Sequence, residues 1–200
     1  MSLFLVRLRG SSKDLDRLRK IGDRGIGTFG DISMFSFHPT KLFHTAEGGA
    51  LTYNDPHLKQ RVDLLKNFGI RNEFEVILPG INGKMNELSA VIGLTVLDLV
   101  DEERARRKTI REAYTRQLAG IPRLSLLQGP AGGEHSEQYL VLRVDASRFG
   151  ATRDEVYDHL RQHNVFARKY FYPLTSDYPC YQQLPSAREG ALPVAQRVSR

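Results

Sequence analysis

The chain has a single cysteine, Cys180, which excludes an intrachain disulfide and fits a reducing compartment. With no second thiol, a cysteine-based metal site is excluded too. No apolar run approaches the roughly 18 residues of a membrane-spanning helix. The opening stretch Leu3-Phe4-Leu5-Val6 is shorter than the roughly seven apolar residues at the centre of a secretory signal. The expectation is a cytoplasmic protein with no membrane partner. Internal repeats and low-complexity tracts are also missing.

What is present is a globular composition. The chain has 200 residues, 40% apolar and 26% charged, enough for one cored domain or a domain with an appendage. A net charge of +6 raises the question of a polyanionic partner, and the densest basic run is Arg104-Ala105-Arg106-Arg107-Lys108. Asp98, Asp101, Glu102 and Glu103 precede it. Glu102 with Arg106 and Glu103 with Arg107 form i,i+4 pairs, the pattern of a solvated helix face, so no nucleic-acid partner is expected. The excess positive charge better fits a small anionic ligand.

The coarse order of elements follows from apolar patterning. Residues 31–37 read as a strand with apolar side chains on both faces, and 49–53 as a second strand. Asp55 is placed to cap a helix with Pro56 at its first position; Leu58, Val62 and Leu65 make its stripe and Gly69 its end. Asn86 caps a long helix toward Leu118, stopped by Gly120, apolar in its first half and charged in its second, with a break conceivable near Asp101. Residues 129–133, Gly-Pro-Ala-Gly-Gly, read as a linker. Beyond them, 140–144 alternate as a half-buried strand, Thr152-Arg153-Asp154-Glu155 is a capping box opening a helix, and Val165-Phe166-Ala167 returns as a strand. Strand, helix, strand makes a small α/β lobe.

One motif is a decoy. Gly25-Ile26-Gly27-Thr28-Phe29-Gly30 matches the dinucleotide-binding G-x-G-x-x-G pattern, which works only between an entering strand and a leaving helix. Here a charged segment enters and a strand leaves, so the glycines are expected to make a turn.

The most informative stretch runs from Ser36-Phe37-His38-Pro39-Thr40-Lys41 through Leu42-Phe43-His44-Thr45-Ala46-Glu47-Gly48-Gly49-Ala50. It places Lys41 between an expected buried strand and a glycine bend. The residues alone leave two readings. One is a surface lysine at a strand end. The other is an amine whose desolvation favours the neutral form, able to make a Schiff base with a carbonyl cofactor such as pyridoxal phosphate. His38 and His44 flank it but lack metal-ligand spacing, so no metal is expected, and packing or hydrogen bonding beside a cofactor is their better role. Ser36 lacks the glycine-flanked elbow and the S-x-x-K spacing of acyl-transfer serines and fits better as a hydroxyl donor to an anion.

Three separated segments now carry a resemblance: Gly30-Asp31-Ile32-Ser33-Met34-Phe35-Ser36-Phe37-His38-Pro39-Thr40-Lys41, Glu47-Gly48-Gly49-Ala50, and Gly80-Ile81-Asn82-Gly83-Lys84-Met85-Asn86-Glu87-Leu88. In this order they resemble the DegT/DnrJ/StrS sugar aminotransferases, over residues 23 to 200. The resemblance implies an α/β chain of the pyridoxal-phosphate fold type I: the C-terminal part of the large domain over 23–120, and an incomplete small α/β domain over 121–200. It implies that Lys41 bonds the cofactor and later moves the proton between substrate and cofactor carbons. It also implies that Ser36 binds the phosphate and that Asn82 reaches the phosphate of a neighbouring subunit, which makes a homodimer part of the mechanism. Residues 167–174 look like the family's substrate-side segment, so Tyr170, Tyr172 and His38 are expected at the substrate.

The implied substrates are a nucleotide-linked keto sugar and an amino acid, usually glutamate, in surface-polysaccharide or amino-sugar biosynthesis. The His-x-Thr-Lys-x-Phe-His-Thr-x-Glu variant looks most like enzymes aminating the 4-keto-6-deoxyhexose of a dTDP sugar. Family members are longer. Their N-terminal half supplies the small-residue phosphate loop, a ring-stacking aromatic and the aspartate that keeps the pyridine nitrogen protonated, and none of these is found here. Residues 1–22 do not resemble the family, and the expectation is a gene fragment of impaired activity. A non-catalytic binding or dimerising remnant is a second reading. A third, a sugar dehydratase with the same cofactor, is disfavoured where such enzymes replace the lysine by histidine, and Lys41 is present.

Overall fold

The structure, a computed structural model, describes residues 20–21, 23–127, 136–188 and 190–199. Most of the 1–22 segment and the expected linker at 129–133 lie outside the described residues. The chain divides into two compact units. One takes in residues up to Gln117 together with Leu127–Val141, and the other Leu118–Leu126 with Leu142–Arg200.

The first unit begins with a two-residue ladder, β1 (Lys20–Ile21) against β2 (Arg24–Gly25). A single 3-10 turn, Ile26–Thr28, follows. No α-helix leaves the glycine motif, so it is the expected turn. Gly27 sits under the Phe35 ring, and its carbonyl accepts from the Thr52 hydroxyl at 2.7 Å. The chain then enters an antiparallel hairpin, β3 (Ile32–Ser36) with β4 (Gly49–Tyr53), in register from Ile32 opposite Tyr53 to Ser36 opposite Gly49.

After the hairpin come α1 (Leu58–Leu65), a short ladder of β5 (Ile70–Asn72) with β6 (Glu75–Val76), and the long helix α2 (Glu87–Leu118). The helix α1 starts later than the sequence indicates. Asp55 does accept a hydrogen bond, from the His57 N–H at 2.8 Å, but Pro56 lies in the turn before the helix. An Asx-type turn at Asp55 satisfies the entry first and delays the helix by two residues. Gly69 stops the α1 segment as expected: at φ +76° its N–H reaches the Leu64 carbonyl at 2.8 Å.

Asn86 caps α2, accepting from the Ser89 N–H at 2.8 Å. The helix is unbroken through Asp101, and Arg104 with Asp101, and Arg106 with both Glu102 and Glu103, pair along its charged middle turns. At about 1.5 Å per residue, its 32 residues reach about 50 Å.

The core of this unit lies between hairpin and helix: Phe37, Phe43 and Ala50 with Val100, backed by Phe35, Met85, Val96 and Leu97. Only one face of the hairpin is covered. The expected burial of both faces of β3 does not occur: Ile32 and Met34 are about half exposed. In a two-stranded ladder α2 packs on the side bearing Phe35, and nothing among the described residues covers the other.

The second unit carries β7 (Leu124–Leu126) antiparallel to β8 (Leu142–Val144), then α3 (Ala146–Phe149), α4 (Arg153–Gln162) and α5 (Pro193–Val198). The expected 140–144 strand shortens to three residues. The expected strand at Val165-Phe166-Ala167 is absent: Asn164 turns out of the helix at φ 59°, the Val165 N–H goes to the Leu160 carbonyl, and Phe166 is exposed. An apolar triplet without a ladder partner leaves its backbone to water, which no strand propensity offsets.

The capping box is present. The Thr152 hydroxyl accepts from the Glu155 N–H at 3.1 Å, and the Glu155 carboxylate accepts from the Thr152 N–H at 2.7 Å. That backbone hydrogen bond, joined by one from the Thr152 hydroxyl, lowers the Glu155 pKa from its ordinary value, against a smaller opposing effect of burial.

A group whose folded pKa is depressed contributes stability above its unfolded value, near 4.3, and loses it as pH falls through the folded value. Wild type should therefore melt above Glu155→Gln at pH 7, and the gap should close as pH falls below about 4 in parallel melts. Gly69→Ala should lower stability by about 2 kcal/mol or more in denaturant titration, since a Cβ there overlaps the Leu78 carbonyl oxygen and φ is positive.

Candidate active site

The lysine loop is an excursion from the β3–β4 hairpin, closed at its neck by one residue. Phe37 donates its N–H to the Gly48 carbonyl at 2.9 Å and accepts on its own carbonyl from the Thr45 N–H at 3.1 Å. Its ring, 2% exposed, meets Phe43 edge to face with centroids 4.8 Å apart, so both ends of the loop bury an aromatic in the same core. Between them the chain turns at Pro39-Thr40, and the Lys41 N–H donates to the His38 carbonyl at 2.9 Å.

Thr45 locks the return. It is 2% exposed, its hydroxyl donates to the Glu47 carbonyl at 2.9 Å, and its methyl rests against Gly93 on α2. A Cβ at Gly93 would stand 2.7 Å from that methyl, and one at Gly48 would run into the Thr45 hydroxyl and, at 2.6 Å, the Met85 methyl. Two glycines thus allow the loop to approach the helix this closely.

His38 lies on the exposed side. Its Nδ1 accepts from the Thr40 N–H at 3.2 Å and lies 3.0 Å from the Thr40 hydroxyl. Accepting a backbone N–H leaves Nδ1 unprotonated, so the neutral ring carries its proton on Nε2, 3.9 Å from Glu47 Oε1. Lys41 itself is half-buried, with Nζ 5.9 Å from the centroid of the Tyr139 ring.

The residues that hold this loop from outside lie nearly a hundred positions away, and sequence reasoning missed them. The Gln138 amide oxygen accepts from the Leu42 N–H at 2.6 Å, and its nitrogen donates to the Thr40 carbonyl at 2.7 Å. Its neighbour Glu137, with a side chain 5% exposed, takes a two-pronged contact from Arg111 of α2: Nε to Oε2 at 2.8 Å and Nη2 to Oε1 at 3.0 Å. The hydrogen bond to Glu137 raises the Arg111 pKa above its ordinary value, more than desolvation lowers it. Glu137 holds φ 53°, a left-handed conformation costing a non-glycine residue about 1–2 kcal/mol, which the ion pair offsets. No local pattern marks this triplet; its only signal is that it precedes a strand.

Ser36, His38 and Lys41 therefore share one hairpin and its loop. Ser36 is exposed at the last ladder position, opposite Gly49. Asn82 is exposed on a separate segment of the same unit, bridged antiparallel to Asn67.

Tyr170 and Tyr172 belong to the second unit. There Arg153 lies 4.6 Å over the Tyr172 ring, and Lys169 contacts Asp154 at 2.8 Å and the Tyr157 ring at 4.5 Å. Hydrogen bonds from Arg153 and then Lys169 hold the Asp154 pKa below its ordinary value. These contacts pin the 168–172 segment to α4. Among the described residues no group of three or more His, Cys, Asp or Glu is placed to hold a metal, and no helix is long and apolar enough to cross a membrane.

The mixed helix and sheet chain covers part of the fold of the pyridoxal-phosphate-dependent sugar aminotransferases, fold type I. The chain belongs to the DegT/DnrJ/EryC1/StrS aminotransferase family, whose model matches residues 18–200. It is 40% identical over 153 residues to a dTDP-4-amino-4,6-dideoxy-D-glucose transaminase of Escherichia coli, covering 76% of this chain and 41% of that protein.

Among solved structures it is similar to DesI, crystallised in the presence of its TDP-sugar product, with a TM-score of 0.80 and 31% identity over 90% of this chain and 45% of that one. DesV of S. venezuelae, in complex with a ketimine intermediate, aligns with a TM-score of 0.78 and 26% identity over 91% and 47%. The chain thus spans less than half the length of each of these three.

The packing of Thr45 on Gly93 is testable by a double-mutant cycle. Alanine in a helix gains about 0.8–1 kcal/mol over glycine, but the buried methyl collision costs about 1–3 kcal/mol. Gly93→Ala should therefore be neutral to destabilising in the wild type and stabilising when Thr45→Ser has removed the methyl, as read by chemical denaturation.

Proposed function

We propose that this chain is part of a pyridoxal-phosphate aminotransferase that moves an amino group from an amino acid, glutamate by the family resemblance, to a nucleotide-linked 4-keto-6-deoxy sugar. The observation that carries this reading is the braced, half-buried Lys41 on a hairpin that also presents Ser36. The names of the E. coli relative and of DesI with its TDP-sugar product favour the dTDP sugar.

The residues fit the cofactor by their chemistry. A phosphate needs hydroxyl and amide donors, which the exposed Ser36 hydroxyl begins to supply. A carbonyl group needs an amine in a fixed direction, which Lys41 supplies. When bound, pyridoxal phosphate supplies the electron sink that lets a bond at the substrate's nitrogen-bearing carbon break. Lys41 Nζ would then be the group that accepts and carries the proton released at that carbon. The Tyr139 ring lies 5.9 Å from Nζ, within cation–π reach.

Asn82 supplies a phosphate donor to a second copy of the chain, so a homodimer belongs to the reading. The family resemblance gives Tyr170, Tyr172 and His38 substrate-binding roles in this reading. The setting is the cytoplasm, in amino-sugar or surface-polysaccharide biosynthesis.

Adding pyridoxal phosphate to the purified chain and to Lys41→Ala tests the reading. A visible absorbance band abolished by borohydride is expected in the first and not in the second. Equal spectra would leave the chain as a binding module without this chemistry.

A further inference from the structure

We propose that Gln138 is a positioning residue for Lys41, setting the direction in which the lysine leaves the backbone. The inference rests on the reading of Lys41 as the cofactor-bonding lysine and extends it to a residue remote in sequence. Gln138 touches neither of the reacting groups; it acts through the two peptide planes that flank Lys41.

The Thr40 carbonyl belongs to the peptide before Lys41 and the Leu42 N–H to the peptide after it, and one planar amide holds both, at 2.7 and 2.6 Å. Fixing both planes fixes φ and ψ of Lys41, hence the Cα–Cβ direction. The orientation of the amide is unambiguous, since a carbonyl only accepts and an N–H only donates. No other group of the same length offers a donor and an acceptor in one plane at neutral pH: glutamate lacks the donor and asparagine is a methylene short.

The bracket is itself braced on both sides. Glu137 is tied to Arg111 of α2 by two hydrogen bonds, so Gln138 is referred to the helix rather than to a free loop. Tyr139 places its ring 5.9 Å from Lys41 Nζ, so consecutive residues meet the backbone and the tip of the same lysine. Fixing the backbone sets the Cα–Cβ direction and narrows the rotamers open to the side chain before any ligand arrives.

Two readouts test this on the full chain with Gln138→Ala and Gln138→Glu. The first needs no cofactor: hydrogen exchange at the Leu42 amide should be slowed in the wild type and accelerate about tenfold in Gln138→Ala, with the paired β3–β4 amides of Phe35 and Ala50 unchanged. The second is peptide mapping after pyridoxal phosphate and borohydride. Wild type should carry the label mainly at Lys41, and Gln138→Ala should lose about tenfold of that preference over exposed lysines such as Lys59.

Gln138→Glu keeps the acceptor for Leu42 and loses the donor to Thr40. It should retain the Leu42 protection while losing part of the labelling preference, and it decides the matter if Gln138→Ala also loosens the hairpin. Wild type that labels Lys41 no better than Lys59 overturns the cofactor reading and this inference with it. Wild type that prefers Lys41, with Gln138→Ala and Gln138→Glu equally selective or Leu42 exchanging alike in all three, overturns the inference alone.

Discussion

Phe37 is the hinge pin of the first unit. Its backbone closes the neck of the lysine loop by pairing with Gly48 and Thr45, and its ring, packed edge-on against Phe43, joins the hairpin to the long helix. Burying a phenylalanine gives about 2–3 kcal/mol and the aromatic pair about 0.5–1.5 more. The same residue thus supplies much of a small core and the hydrogen bonds that define the loop. Lys41 is held where it is because both strands of its loop end in that core.

Around this pin the contacts are close on one side and open on the other. Thr45 rests on Gly93 and Gly48 passes under Met85 with no room for a further methyl group. On the opposite face of α2, Leu88, Val91, Leu94 and Leu99 are exposed, as are Ile32 and Met34 on the outer face of β3. The first half of the helix is therefore apolar on more than the side that the hairpin covers. The described residues bury one stripe of it, through Ser89, Gly93 and Val100.

Local signals carried much of this arrangement into the sequence. The glycine bend and flanking apolar residues marked the hairpin, and Asn86 and Gly120 bracketed the helix. Thr152 and Glu155 announced their capping box, because each is a short-range pattern with its own backbone consequence. The G-x-G-x-x-G decoy was separable from a dinucleotide site by what enters and leaves it. The failures were of two kinds. Where elements compete at a boundary, as Asp55-Pro56 did between turn and helix, the pattern left the start uncertain by two residues. Where a strand depends on a remote partner, as at Leu124–Leu126 or Val165-Phe166-Ala167, three apolar residues hold too little information to decide.

The site shows the same division. Ser36, His38 and Lys41 were legible because they lie within one motif, whereas Gln138, Glu137 and Arg111 became visible only when the fold brought a remote triplet against the loop. The account stands on the claim that this loop presents Lys41 in one fixed direction. The most direct measurement is a crystal structure of the chain after treatment with pyridoxal phosphate and borohydride. The account predicts continuous density from Lys41 Nζ to the cofactor, with the phosphate toward Ser36 and the Gln138 amide still spanning Thr40 and Leu42. Density on another lysine, or a loop redrawn around Lys41, would contradict it.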